Sequence, residues 1–161
     1  MQITYVNEDI FDCVTKEPNS PDDPPAVCIM TNAIIKTNGC AVMGRGIAKR
    51  ADDLFDVSRI LAGSLKEHGN HVYHLGIHPY NGVRIRLLSF PTKYHWKDDS
   101  DLELITQSCR ELKAMCDRNQ IKTCYLVPPG CANGHLDWET QVKPEIVKIL
   151  DDDRFIVVIR R

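Results

Sequence analysis

Short apolar or β-branched runs recur from one end of this chain to the other, and stretches of helical periodicity separate most of them. Residues 2–6 alternate and are rich in β-branched side chains, as a strand does. Residues 26–30 are apolar at every position, the mark of a strand buried on both faces. Two more strands are expected at residues 71–77 and 84–90, joined by a turn at Tyr80-Asn81-Gly82, and two others at 124–127 and 155–159. Helices are expected from about Gly46, over residues 57–68, over 101–118 and near 139–150. In the third of these, Leu102, Ile105, Cys109, Leu112 and Cys116 form one apolar stripe, and Ser100 stands at capping-box spacing from Glu103. Alternation of this kind predicts an α/β fold, with a mainly parallel or mixed sheet sandwiched by helices. In such folds ligands sit beyond the carboxyl ends of the strands.

Composition narrows the function. At 161 residues the chain is expected to form a single domain spanning 1–161, and 43% apolar with 26% charged residues is the balance of a soluble globular protein. Its net charge of −2 disfavours a general grip on duplex nucleic acid, which takes a basic surface. No apolar run approaches the ~18 residues that span a bilayer, and Glu8 and Asp9 come too early for a signal peptide, so no membrane partner is expected. The seven cysteines form no CxxC pair, which points to buried thiols in a reducing, cytoplasmic setting. Residues 16–25 hold four prolines and read as a solvated loop.

Three segments carry the chemistry. Residues 31–53 leave a buried strand, pass Asn32 and Asn38, and enter a helix through Gly44-Arg45-Gly46-Ile47. Glycines at a helix start let backbone N–H groups approach an anion, although a turn that needs two flexible residues reads the same way. Residues 128–138 repeat the device between a strand and a helix, with Gly130 and Gly134. Two such loops suggest a ligand with more than one phosphate. Between them, Lys93 stands beside Tyr94, His95 and Trp96 at the end of a strand. It is either a solvated cation or, if partly desolvated, a nucleophile.

Taken together, Asp9-Ile10 after the first strand, Asn32 and Asn38 ahead of MGRGIA (43–48), FPTKYHW (90–96) and GCANGHLDW (130–138) resemble the macrodomain family, which binds ADP-ribose. The matches fall in the family's order and cover nearly the whole chain. They are most similar to the branch holding the terminal ADP-ribose-protein glycohydrolase and the antitoxins that strip ADP-ribose from DNA. The resemblance implies a three-layer α/β/α sandwich with a central mixed sheet, and no cofactor. It implies that Asp9 accepts from the adenine amino group, with the Ile10 backbone close by. Gly44, Arg45, Gly46 and Ile47 would line the diphosphate and distal ribose, and Gly130, Cys131, Ala132, Asn133 and Gly134 would close over the phosphates from the other side. Asn38 would hold the distal ribose hydroxyls, with Asn32 a further ligand contact. Lys93 matches the lysine this branch uses at the anomeric carbon.

The chain also departs from the pattern. Gly134 stands where protein-directed glycohydrolases carry a catalytic aspartate; Asp137 lies three residues on, in position to cap the next helix, and His135 is left as an acid or base. The spacing from Asn32 to Asn38 is longer than the family's usual pair. The expected activity is hydrolysis of ADP-ribosyl adducts, with DNA or RNA preferred as the modified partner because Lys93, His95, Trp96 and Lys97 make a basic, aromatic patch. A non-catalytic ADP-ribose reader and an ADP-ribose 1″-phosphate phosphatase are the alternatives. No metal is expected: His71, His74 and His78 do not share one strand face, and no Cys or carboxylate completes a set. Trp138 is expected to anchor the second loop, and Phe155 to serve the core or an adenine pocket wall.

Overall fold

The protein is described here by a computed structural model covering residues 1–16 and 22–161. Residues 17–21 of the expected proline-rich loop lie outside the described residues. Six strands form one sheet: β1 (Gln2–Val6), β2 (Ala26–Thr31), β3 (His74–Tyr80), β4 (Val83–Pro91), β5 (Cys124–Leu126) and β6 (Phe155–Arg160). Their order is β1-β6-β5-β2-β4-β3, parallel throughout except for the antiparallel β3–β4 pair, so the sheet is mixed.

The alternation of β2 explains the layering. Ala26 and Cys28 face one core, where they meet Ile105, Cys109, Leu112 and Cys116 of α4 (Leu102–Arg118) and Ile146 of α5 (Lys143–Ile146). Val27 and Ile29 face the other, against Phe11 of α1 (Ile10–Lys16), Ala48 and Ala51 of α2 (Ile47–Phe55), and Leu61 and Leu65 of α3 (Ser58–His68). Helices therefore cover both faces, giving three layers. Phe155 is fully buried in the first core, and Trp138 packs partly buried against it.

Several boundaries differ from expectation for local reasons. The short α1 was not anticipated; Asp9 starts it by accepting the Phe11 N–H at 2.9 Å. Strand β3 begins at His74 rather than at residue 71, because the N–H groups of Val72 and Tyr73 bond to the Glu111 carboxylate and the Ser89 hydroxyl. Asn81 and Gly82, with φ of 50° and 80°, make the expected tight turn. The cap of α4 is Asp101, whose Oδ1 accepts from the Leu104 N–H at 3.1 Å, and not Ser100. The helix expected near 139–150 is a π-helical turn (Trp138–Val142) followed by α5, because Pro144 has no N–H to continue an α ladder.

Candidate functional site

The parallel strands β2, β4, β5 and β6 all end at one edge of the sheet, and the segments that follow β2, β4 and β5 enclose a cleft there. The cleft has two lobes, of about 890 Å³ and about 470 Å³. Gly46, Ile47, Val127, Pro128, Ala132 and Arg160 line both, so the lobes are continuous. Volumes of this size suit a small organic ligand.

The first loop delivers the start of α2 to the junction. Gly44 and Gly46 adopt φ of 63° and 70°, a left-handed backbone open to glycine at little cost. Gly46 is the N-cap of α2, and no side chain caps the helix, so its first N–H groups are left to the cleft. The second loop lies opposite, with Gly130 at φ 74°. A helix N-terminus facing a glycine loop is a ready anion site that needs no positive net charge.

Gly134 is fixed by sterics. A Cβ there would stand 2.6 Å from the Gly130 carbonyl and 2.7 Å from Ser100 Cβ, and closer still to Ser100 Oγ. The Ser100 hydroxyl thus fills the space a side chain at 134 would need. It is buried and has no hydrogen-bond partner among the described residues, while the Ser100 N–H donates to the Gly134 carbonyl at 3.0 Å. No carboxylate can be accommodated at 134 without displacing Ser100.

Lys93 lines the larger lobe, and its Nζ reaches the Asn133 carbonyl at 3.5 Å, spanning from one loop to the other. Its own carbonyl is tied from behind by the Asn70 amide at 3.2 Å. His135 lines the same lobe, in a left-handed conformation (φ 63°) unusual for a non-glycine, with Nδ1 2.7 Å from Asp99 Oδ1. Trp96 and Lys97 form the mouth. The rings of His95 and Trp96 stack at 5.4 Å, and Lys97 Nζ lies 5.2 Å from the Trp96 ring centre. Trp96 is 47% exposed and Tyr94 54%. Asp137 accepts from the Thr140 N–H at 2.8 Å, and bonds from Thr140 hold its carboxyl below the usual range; it caps the π turn.

Asp9, Ile10 and Cys131 line the smaller lobe. Burial pushes the Cys131 thiol up to about 11, which leaves little thiolate at neutral pH. Asn32 lines the larger lobe, buried, with Nδ2 donating to the Val42 carbonyl and Oδ1 accepting from the Ile34 N–H. Asn38 is not among the lining residues; it is exposed, and its Oδ1 accepts the Cys40 N–H in a local turn. The structure thus gathers every anticipated ligand-binding or catalytic residue except Asn38 around one cleft, and of the expected basic, aromatic patch it leaves His95 off the lining. Sequence reading passed over Arg50, Thr92, Ser100 and Arg160, which also line it. Thr92 lies within the recognised lysine segment and Ser100 just beyond it; Arg50 and Arg160 had no local motif to mark them.

Among the described residues, no group of three or more His, Cys, Asp or Glu is placed to hold a metal ion, and no helix is long and apolar enough to cross a membrane.

No family model matches the chain. The DNA ADP-ribosyl glycohydrolase of Thermus aquaticus is 29% identical over 126 residues, covering 74% of this chain and 34% of that protein. The protein of the same name from Mycobacterium tuberculosis is 28% identical over 114 residues, 68% and 32% of the respective chains. This chain therefore spans about a third of the length of the curated relatives it matches. Among solved structures, the macrodomain of Mycobacterium tuberculosis DarG superposes with a TM-score of 0.72 at 23% identity, covering 99% of this chain and 96% of that one. Thermosipho africanus DarTG in complex with ADP-ribose gives 0.74 at 22% identity, covering 99% of this chain and 42% of that one.

Proposed function

This chain folds as a macrodomain, and on that premise we propose that it binds ADP-ribose and hydrolyses ADP-ribosyl adducts on nucleic acid. One observation carries the reading: a single cleft holds Asp9 in its smaller lobe and Lys93 in its larger one, with two glycine loops between. Adenine fills the smaller lobe, against Val6, Ile10, Ile47 and Val158, with its amino group toward Asp9. The diphosphate crosses the N-terminus of α2 and the loop from Gly130 to Gly134. The distal ribose enters the larger lobe beside Asn32, its anomeric carbon toward Lys93. The names of the relatives, and the ADP-ribose bound in one similar structure, support ADP-ribose as the ligand and DNA as the modified partner, while the placement rests on the lining of the two lobes.

In the reaction the bond between the anomeric carbon and the leaving group breaks, and the electron pair leaves with the leaving group. His135 supplies the proton that neutralises it. Either water meets the developing cation directly, or Lys93 Nζ bonds to the anomeric carbon and water then displaces it, breaking that C–N bond; in both cases the proton released by water returns to His135. Steric exclusion of a carboxylate at 134 sets the chain apart from protein-directed glycohydrolases. The exposed Trp96 with Lys97 at the mouth suits a nucleobase and its phosphate.

The test is calorimetric titration with ADP-ribose against AMP, followed by turnover on ADP-ribosylated DNA, RNA and protein. ADP-ribose is expected to bind well above AMP, and Lys93→Ala to keep binding while losing roughly 100-fold or more in turnover. Tight binding with no turnover on any adduct would establish a reader instead. Absence of binding at millimolar ADP-ribose would overturn the proposal.

A further inference from the structure

The smaller lobe ends in a polar pair rather than a lone carboxylate. Arg50 lines the lobe with Asp9; its Nε lies 3.4 Å from Asp9 Oδ2, and its Nη2 3.3 Å from the Tyr80 hydroxyl. Tyr80 in turn donates to Asp12 Oδ1 at 2.7 Å, and that bond holds its phenol above the ordinary range. Asn81 also donates to Asp12, at 3.3 Å. Arg50 is therefore tied on one side to the residue that starts α1 and on the other to the β3–β4 turn. Glu8, the other carboxylate lining this lobe, is committed to Lys16 at 2.8 Å. A guanidinium has five N–H donors and no acceptor, and Nη1 has no hydrogen-bond partner among the described residues. A carboxylate is acceptor-only and can take several bonds. Asp9 has spent Oδ1 on the Phe11 N–H and Oδ2 on Arg50, and lone pairs remain.

We propose that Arg50 is a specificity-determining residue, which together with Asp9 reads the edge of adenine. The inference rests on the ADP-ribose reading above and adds a second contact to it. Adenine places an amino donor next to a ring-nitrogen acceptor, and Asp9 and Arg50 place an acceptor next to a donor. The apolar walls of Val6, Ile10, Ile47 and Val158 bind any purine alike, so discrimination falls to this pair. Hypoxanthine inverts the pattern: a carbonyl replaces the amino group and faces Asp9, while a ring N–H faces Arg50. A paired contact of this geometry discriminates by about tenfold or more.

The experiment titrates ADP-ribose and its hypoxanthine counterpart, inosine diphosphate ribose, into the wild type, Arg50→Ala, Arg50→Gln and Tyr80→Phe, each checked for an unchanged thermal melt. The wild type is expected to prefer ADP-ribose by about tenfold or more. Arg50→Ala is expected to lose most of that ratio by weakening on ADP-ribose alone. Arg50→Gln, which retains an amide donor, restores part of it, and Tyr80→Phe, which frees the guanidinium from its tether, falls between. Equal weakening of both ligands in Arg50→Ala would mean that Arg50 acts through charge or packing, and overturns the inference. So would an unchanged ratio in Arg50→Ala, or equal binding of both ligands by the wild type, while leaving the ADP-ribose reading intact. Failure of the wild type to bind ADP-ribose overturns that reading and this inference with it. Should Arg50→Ala fail to fold, Arg50→Gln and Tyr80→Phe still decide the matter through the ratio.

Discussion

Ser100 and Gly134 are two halves of one contact, and the contact accounts for what the second loop lacks. Replacing Gly134 with Ala forces a Cβ against the Ser100 side chain and the Gly130 carbonyl. Overpacking of this kind costs about 1–3 kcal/mol, so the melting temperature is expected to fall by several degrees. Ser100→Gly in the same chain recovers part of the loss, because the clash with the Gly130 carbonyl persists; thermal melts of the single and double variants check both statements. At this scale the sequence was readable where a residue type has one use. Lys93 at its strand end reads as a solvated cation or as a nucleophile, but a glycine at positive φ, such as Gly44 or Gly46, announces itself. The two asparagines did not. An Asn before a glycine loop can face a ligand or close a turn, and only the three-dimensional course of residues 32–43 shows Asn38 spent on the Cys40 N–H and Asn32 against the cleft.

Caps mark where the elements were hardest to read. Ser100 and Asp101 are both good capping types and stand side by side, so spacing to Glu103 favoured Ser100, whereas the backbone course gives the role to Asp101. Asp101→Ala is expected to cost about 1 kcal/mol, or about 2–4 °C at this chain length. Ser100→Ala leaves the cap intact and removes a buried hydroxyl that has no partner among the described residues, so its melt should be unchanged or higher. The long α4 was legible because its apolar stripe repeats over several turns. The short α1 offered only seven residues, and its capping Asp9 drew attention as a ligand contact instead. Pro144 was the overlooked sign that the last helical stretch divides.

Across the whole molecule, α4 is bound to the sheet side by a carboxylate. Burial works against the ionised form of Glu111, but the Val72 N–H, His71 at 2.8 Å and Gln107 together hold its pKa below the ordinary 4.5. A depressed folded-state value contributes stability that is full above about 4.5 and is lost as pH falls through it. Asp152 with Arg154, and Asp151 with Lys113, shift in the same direction. Glu111→Gln is therefore expected to melt lower than the wild type at pH 7, with the gap narrowing toward pH 3; melts across that range test it, and a gap independent of pH would contradict it. A mixed sheet and the β3–β4 hairpin were legible from the alternation and the Tyr80-Asn81-Gly82 turn, but the order of the other strands lay beyond sequence reading, since periodicity names strands but not neighbours. Yet that order brings residues from Asp9 to Arg160 to one cleft. Because the walls are drawn from nearly the full length of the chain, a ligand that fills both lobes cannot be held by a fragment. Its binding stoichiometry counts the intact molecules in a preparation, and a value below one measures the damaged fraction directly.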